Sequence, residues 1–266
     1  MKKKTKKMLA VLAVLLQILG CSPNAEKLSN RANELLDQHQ FEEAFPILVK
    51  AANMGNAEAQ YNLGHIYRNC CSITGMEPNY DKSIAWIRKA ANQGHTKALA
   101  TLMKDYRYGD FVSRDLEKAF HYGLLCAKQG NVKCMRAVYG FYADGSGVAQ
   151  NFEQMLAWGT KIGLLNCEVQ NHAIANEITN VRIGLAQEYR DGYRLEKDLL
   201  KSYQWFLLYN ENKNYVEDFM QEAYIEEIQA LEKALGPKQK EAAKRKAERL
   251  LGSPLNNLQK LYIVEP

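Results

Sequence analysis

Residues Gly94 to Gly130 read GHTKALATLMKDYRYGDFVSRDLEKAFHYGLLCAKQG. Ala98, Leu102 and Tyr106 fall at i, i+4 and i+8, so they share one face of a helix and form its buried stripe. Gly109 closes that helix, since the residue past a helix end often takes the left-handed conformation that glycine adopts most readily. Asp115 then caps a second helix carrying Ala119, Tyr122 and Ala127. Small side chains at the alanine positions let the two helices approach closely, and Gly130 turns the chain onward. The spacing predicts an α-hairpin.

The same offsets recur on both sides. Trp86, Tyr122 and Trp158 lie 36 positions apart, and so do Tyr106 and Tyr142. Tyr67 and Trp205 join these ladders once two insertions are removed. The preceding unit holds Gly55, Ala59, Leu63-Gly64, Tyr67, Asp81, Trp86 and Ala90-Ala91. The following one holds Gly130, Cys134, Val138, Tyr142, Gly145, Asn151 and Trp158, and a fourth holds Leu185-Ala186, Tyr189, Gly192, Asp198 and Trp205. A degenerate half-unit spans residues 41–54, and residues 30–38 are expected to supply an N-terminal cap helix. Self-similarity at this period marks a helical solenoid, in which each hairpin buries its apolar face only against its neighbours. The Tyr67-to-Trp86 interval is 19 where the other units have 16. Between the third and fourth units the period is 47, which places eleven inserted residues near Cys167 to Glu177.

These residues resemble the Sel-1-like repeat family, a subclass of tetratricopeptide-type α-hairpin. The resemblance rests on Ala59-Gln60, Leu63-Gly64, Tyr67, Gly145-Ser146-Gly147-Val148, Lys118-Ala119, and Lys89-Ala90-Ala91 with Gly94. It covers residues 41–210. The Leu-Gly step departs from the pattern in two units, as Leu102-Met103 and as Val138-Tyr139. The resemblance implies an all-α, right-handed α-solenoid of helical hairpins that ends in C-terminal capping helices. Two such helices are expected over 216–235 and 237–251, the first acidic and the second basic. Their opposite charge suits an antiparallel pair with a polar outer face. Pro237, Gln239, Ala243 and Ala247 also resemble the usual end of the family.

The N-terminus reads as a processing signal rather than part of the fold. Lys2, Lys3, Lys4, Lys6 and Lys7 precede an apolar stretch from Met8 to Leu19, shorter than the about 20 residues needed to span a bilayer. It ends in Ile18-Leu19-Gly20-Cys21, which resembles a bacterial lipobox with Cys21 as the lipidated residue; an ordinary cleaved leader or an uncleaved anchor are the alternatives. The expected organisation is a signal peptide over 1–20, a tether over 21–29, the solenoid over 30–211, capping helices over 212–252 and a tail over 253–266. The leader holds five of the 35 Lys and Arg and none of the 30 acids, so the remainder carries 30 basic against 30 acidic residues. That balance removes the main support for nucleic-acid binding.

No catalytic signature appears. There is no G-x-S-x-G elbow and no H-E-x-x-H, and the five histidines are scattered singly, without metal-ligand spacing. Neither enzyme activity nor a cofactor or metal is expected. Cys126 and Cys134 stand eight apart across the turn at Gly130, within disulfide reach if the protein is exported; two buried thiols are the alternative. A secreted, cysteine-rich branch of the same family uses Cys pairs eight apart at this junction, shifted by one position, and has been linked to penicillin recognition. A β-lactam-directed enzyme is therefore a remote alternative.

Positions opposite the Ala/Leu/Tyr stripe give His65 and Arg68, Lys104 and Arg107, Arg136, then Gln187 and Arg190. In tetratricopeptide-type solenoids these first helices line the concave surface, so the resemblance implies a basic groove suited to an acidic peptide or protein patch. A merely solvated helix face is the alternative. The function expected is that of a membrane-tethered scaffold binding another envelope protein on the periplasmic side, at the outer membrane in a diderm cell. An immunity protein against an envelope-targeting toxin, or a regulator of a membrane sensor, are the alternatives within binding.

Overall fold

A computed structural model describes residues 23–73, 77–165, 172–215 and 218–264; among them are twelve α-helices and no strand. The leader, Cys21 and the inserted residues 167–171 lie outside the described residues. The chain divides into two compact units, one ending at Gln129 and the other beginning at Gly130. The first unit holds α1 (Pro23–Asp37), α2 (Phe41–Asn53), α3 (Ala57–Ile73), α4 (Tyr80–Asn92), α5 (Thr96–Tyr108) and α6 (Leu116–Lys128), each packed on the next. The second holds α7 (Val132–Asp144), α8 (Phe152–Gly163), α9 (His172–Asp191), α10 (Leu199–Asn210), α11 (Asp218–Ala234) and α12 (Pro237–Leu251). Helical hairpins thus fill both units.

The hairpins start and stop on side-chain chemistry. Asn79, Asp115, Asn151 and Asp198 each accept a hydrogen bond from the backbone N–H three residues on, at 2.9, 3.0, 2.9 and 3.0 Å. Asn56, His95 and Asn131 do the same for α3, α5 and α7. Gly109 and Gly145 close α5 and α7 in the left-handed conformation, at φ 78° and 69°. The predicted stripe is inside: Ala59, Leu63, Ala98, Leu102, Cys134, Val138, Leu185 and Ala186 are all fully buried.

Residues 23–29 do not form a tether. They are the first two turns of α1, with Ala25 fully buried and Leu28 packed on the apolar cluster of the first unit, because Ala25, Leu28 and Ala32 continue the stripe toward the N-terminus. The insertion before the last hairpin is partly helical: residues 172–177 lengthen α9 to 20 residues.

The expected charge-matched pairing of the two terminal helices does not form. Both α11 and α12 pack against α10 instead. Every residue of α10 from Ser202 to Asn210 is buried, so this helix offers apolar surface on all sides. Burying such side chains is worth about 1.5–3 kcal/mol each, against about 1 kcal/mol at most for an exposed ion pair. The C-terminal segment docks on the same helix. Asn210 donates to the Asn257 carbonyl at 2.6 Å, Glu211 accepts from Asn256 and Asn257 N–H at 3.0 Å, and the buried Lys213 ammonium donates to the carbonyls of Lys260 and Ile263.

One buried cation ties the second unit together. Arg182 is 1 % exposed; its guanidinium donates to the Gly163 carbonyl at 2.8 Å, to the Leu208 carbonyl at 2.7 Å and to Asn212 Oδ1 at 2.7 Å. It thereby satisfies carbonyls at the C-terminal ends of α8 and α10, where positive charge is favoured. Arg182→Leu leaves those buried acceptors unpaired and is expected to lower stability by on the order of 3 kcal/mol, measured by urea unfolding.

Candidate functional site

The predicted basic stripe does not survive as one surface. Arg68 is 9 % exposed and Asp105 2 %. They form a two-pronged pair, Nη1 to Oδ1 at 3.0 Å and Nη2 to Oδ2 at 2.6 Å, linking α3 to α5. Arg68 Nε donates to Ser83 Oγ at 3.3 Å, and the guanidinium lies 4.0 Å from the Phe111 ring centre. Arg68 is therefore a buried strut, not a free groove cation. Arg190 and Gln187 are also engaged. Asp191 and Glu227 clamp the Arg190 guanidinium, and Gln187 donates to Glu227 at 3.1 Å. The side-chain bond to Asp191, assisted by Glu227, holds the Arg190 guanidinium well above its ordinary value. Glu227 belongs to α11, so the acidic helix itself covers this end of the stripe. Lys104 is exposed, and Arg107 is half-buried with its guanidinium 5.6 Å from the Tyr108 ring.

His65 and Arg136 remain, and each lines a groove on the open face of the first helices, one groove in each unit. In the first unit a groove of about 520 Å³ lies among α1, α3 and the start of α5. Asn62 donates to Asn33 Oδ1 across it at 2.8 Å. His95 accepts the Ala98 N–H on Nδ1, which leaves Nε2 to donate to Glu58 at 2.7 Å. Burial pushes the Glu58 carboxyl up, but the bond from His95 and the nearby Lys97 outweigh it and hold the group below its usual value. The His65 ring lies 4.6 Å from the Tyr61 ring, tilted by 59°, and its Nε2 is out of contact with solvent and has no hydrogen-bond partner among the described residues. Burial, then the charge of Arg68, keeps this imidazole below its ordinary pKa.

In the second unit a groove of about 480 Å³ lies between α7 and α9. Its acids are matched to cations: Glu188 and Asp144 to Arg194 at 2.5 and 3.6 Å, and Asp191 to Arg190 at 2.7 Å. Arg136 pairs with Glu177, its Nε 3.9 Å from Oε2, and this Nε has no hydrogen-bond partner among the described residues. Its guanidinium lies 5.5 Å from the Tyr139 ring, and burial, then Glu188, raises the Tyr139 hydroxyl pKa. Tyr193 stands at the rim, 82 % exposed.

Among the described residues no group of three or more His, Cys, Asp or Glu is placed to hold a metal ion, and no helix is long and apolar enough to cross a membrane. Cys126 and Cys134 are both fully buried and disulfide-bonded.

These hairpins are those of an all-α helical repeat protein. The Sel1 repeat family model matches residues 57–95, 99–131 and 181–208. A Sel1 repeat protein from Oxalobacter formigenes is 19% identical over 87% of each chain, with a TM-score of 0.62. A protective antigen of uropathogenic Escherichia coli with an SLR fold is 18% identical, over 88% of this chain and 55% of that one, with a TM-score of 0.40. An immunity protein from Pseudomonas aeruginosa is 15% identical over 92% and 89%, with a TM-score of 0.37. At such identities the likeness is one of fold. No curated protein matches the chain.

Sequence reasoning missed Asn33, Asn62, Tyr139, Gly140, Gly184 and Tyr193 as groove residues. A signal was present for Gly140. The family's Leu-Gly step is Leu63-Gly64 in the first full unit, whereas in the third the glycine comes one position late. One residue is about 100° of helix, enough to turn a glycine from the packed side to the open side.

Two tests follow from this geometry. Arg68→Met strands the buried Asp105 carboxylate and is expected to cost about 3–5 kcal/mol of stability by urea unfolding, while Lys104→Met at an exposed position costs less than about 0.5 kcal/mol. For His65 the folded pKa is depressed and the unfolded chain binds the proton more readily. The penalty is absent above the unfolded value of about 6.5 and grows as pH falls below it. Thermal melts from pH 7.5 to 5 should therefore show a smaller acid-side loss for His65→Gln than for the wild type.

Proposed function

We propose that the protein is a non-enzymatic, protein-binding scaffold, exported and anchored by a lipid on Cys21 to the periplasmic side of a bacterial membrane, the outer one in a diderm cell. The observation that carries the binding reading is the pair of open first-helix grooves, each flanked by one nitrogen without a hydrogen-bond partner among the described residues, His65 Nε2 and Arg136 Nε. Buried polar groups are almost always satisfied, so an unmatched one beside a groove points to a ligand. Helical repeats recognise proteins through rigid extended surfaces, and likeness to the Sel1 repeat supports that class of partner. The basic n-region, the apolar stretch and Cys21 support export and anchoring. Two disulfide-bonded cysteines fit an oxidising compartment. We assign Cys126 and Cys134 to each other, and unreduced peptide mapping should return them as one linked pair.

A photocrosslinking residue placed at Lys104 or Tyr193 in living cells should yield one dominant adduct with an envelope protein. Absence of any adduct at both positions, in protein present at wild-type level, would refute the scaffold reading. Cys21→Ser should move the protein from the membrane to the soluble fraction; unchanged membrane retention would refute the lipid anchor.

A further inference from the structure

The six helices of the first unit alternate in direction, because each packs on the next across a short connection. One end of the unit therefore gathers the starts of α1, α3 and α5 with the ends of α2, α4 and α6. Leu28, near the start of α1, packs on the cluster that holds Ala51 and Ala52 from the end of α2. The far end gathers the remaining termini.

The two ends carry opposite charge. In the four terminal residues of each helix and the turns between them, the end that bears the start of α1 holds Lys50, Lys89, Lys97 and Lys128 against Glu26 and Glu58, a net of +2. On the same basis, setting aside Asp105 that Arg68 neutralises, the far end holds nine acids against four cations, a net of −5. The four lysines are exposed. Lys97 lies 3.5 Å from Glu58, whereas Lys50, Lys89 and Lys128 have no acidic partner among the described residues.

Helix dipoles do not produce this polarity. A helix favours acids at its start and cations at its end, so helices of alternating direction would place both signs at each end. The second helices follow the rule, from Glu42 to Lys50, Asp81 to Lys89 and Glu117 to Lys128. The first helices do not balance them. α1 ends on Glu34 and Asp37 without a base, and α5 begins with Lys97 and without an acid.

Position joins this charge to a partner. Ser22 alone separates Cys21 from Pro23, the first residue of α1, so the covalent chain keeps Cys21 within about 7 Å of the basic end. The interfacial layer on one side of a bilayer is on the order of 5–8 Å thick. An exposed charge acts across a Debye length of about 8 Å at physiological salt. We propose that the end of the first unit bearing Lys50, Lys89 and Lys128 rests on anionic phospholipid headgroups of the leaflet that holds the Cys21 lipid, with the acidic end turned away. This deepens the anchored reading above and rests on it. An anionic bilayer attracts the lysines and repels the far carboxylates, so both ends favour the same orientation.

The test uses the lipidated full-length protein in vesicles of phosphatidylcholine, either pure or mixed three to one with phosphatidylglycerol, and follows acetylation of each lysine by mass spectrometry. In the mixed vesicles Lys50, Lys89 and Lys128 should react about threefold more slowly than in the pure ones, with Lys82 and Lys118 at the far end reacting equally in both. Salt at about 1 M, where the Debye length is about 3 Å, should abolish the difference. A variant combining Lys50→Gln, Lys89→Gln and Lys128→Gln should make Lys97 equally reactive in the two vesicle types; if that variant fails to fold, the salt series on the wild type decides. Equal reactivity of the three lysines in both vesicle types, slowing of Lys82 and Lys118 to the same extent, or protection that survives high salt each overturns the proposal. An N-terminal peptide whose Cys21 carries no lipid overturns the anchor and this proposal together. A lipidated peptide beside unprotected lysines overturns this proposal alone.

Discussion

Each of the four repeat hairpins hangs on one backbone hydrogen bond. The N–H of the residue that caps each second helix is donated to the carbonyl of a tyrosine near the end of the first: Asn79 to Tyr67, Asp115 to Tyr106, Asn151 to Tyr142 and Asp198 to Tyr189, at 2.8, 2.9, 2.9 and 2.8 Å. The same cap residue then holds the start of its own helix with its side chain. Backbone and side chain of one residue thus join the C-terminal end of one helix to the N-terminal end of the next. Such a joint satisfies groups that helix ends would otherwise leave unpaired, and it fixes where the second helix starts relative to the first. It is indifferent to loop length. The first hairpin closes it over a loop three residues longer than the others, after a kink at Asn69, with the same geometry.

A cation reinforces the joint. Lys82, Lys118 and Lys201 each sit at the third position after the cap and reach back over Tyr67, Tyr106 and Tyr189, with ammonium-to-ring distances of 5.4, 5.4 and 5.0 Å. In the third hairpin this place is Gln154, and the cap and backbone bonds hold there without a cation. Cation–ring contacts at exposed sites are worth about 0.5–1 kcal/mol, similar to one cap, so they tune the joint rather than create it. The aromatic ladder in the sequence is the outward trace of this arrangement: Tyr67, Trp86, Tyr122, Tyr142 and Trp158 are half-buried, Tyr106, Tyr189 and Trp205 buried, and Tyr106 stacks on Tyr122 with ring centres 5.7 Å apart.

That periodicity is why the hairpins and the caps Asp115, Asn151 and Asp198 could be read from residues alone, and Gly236-Pro237 did the same for the start of α12; in the first full unit the cap is Asn79 and not Asp81. The site was read less well, and the reason is geometric. A helical wheel divides one helix into an inner and an outer side, but a first helix in a repeat also has flanks that meet the first helices before and after it. Arg68 follows its stripe tyrosine by one position and Asp105 precedes its own by one, so each lies on a flank, and they meet 37 residues apart in the chain. No single unit contains that pair. Gln187 and Arg190 were misread for a related reason: the carboxylate that covers them comes from α11, outside the repeat and without a counterpart in earlier units. His65 escaped both fates and lines an open groove, whereas Arg136 lines one beside Glu177 from the lengthened start of α9.

Rigidity links these facts to binding. A surface made of capped, mutually packed helices loses little conformational freedom when a partner docks, so contacts made there are not cancelled by ordering costs that run to about 0.5–1.5 kcal/mol for each immobilised side chain. The second unit holds this surface firmly, with Arg182 fastening the ends of α8 and α10 and the C-terminal segment pinned to α10.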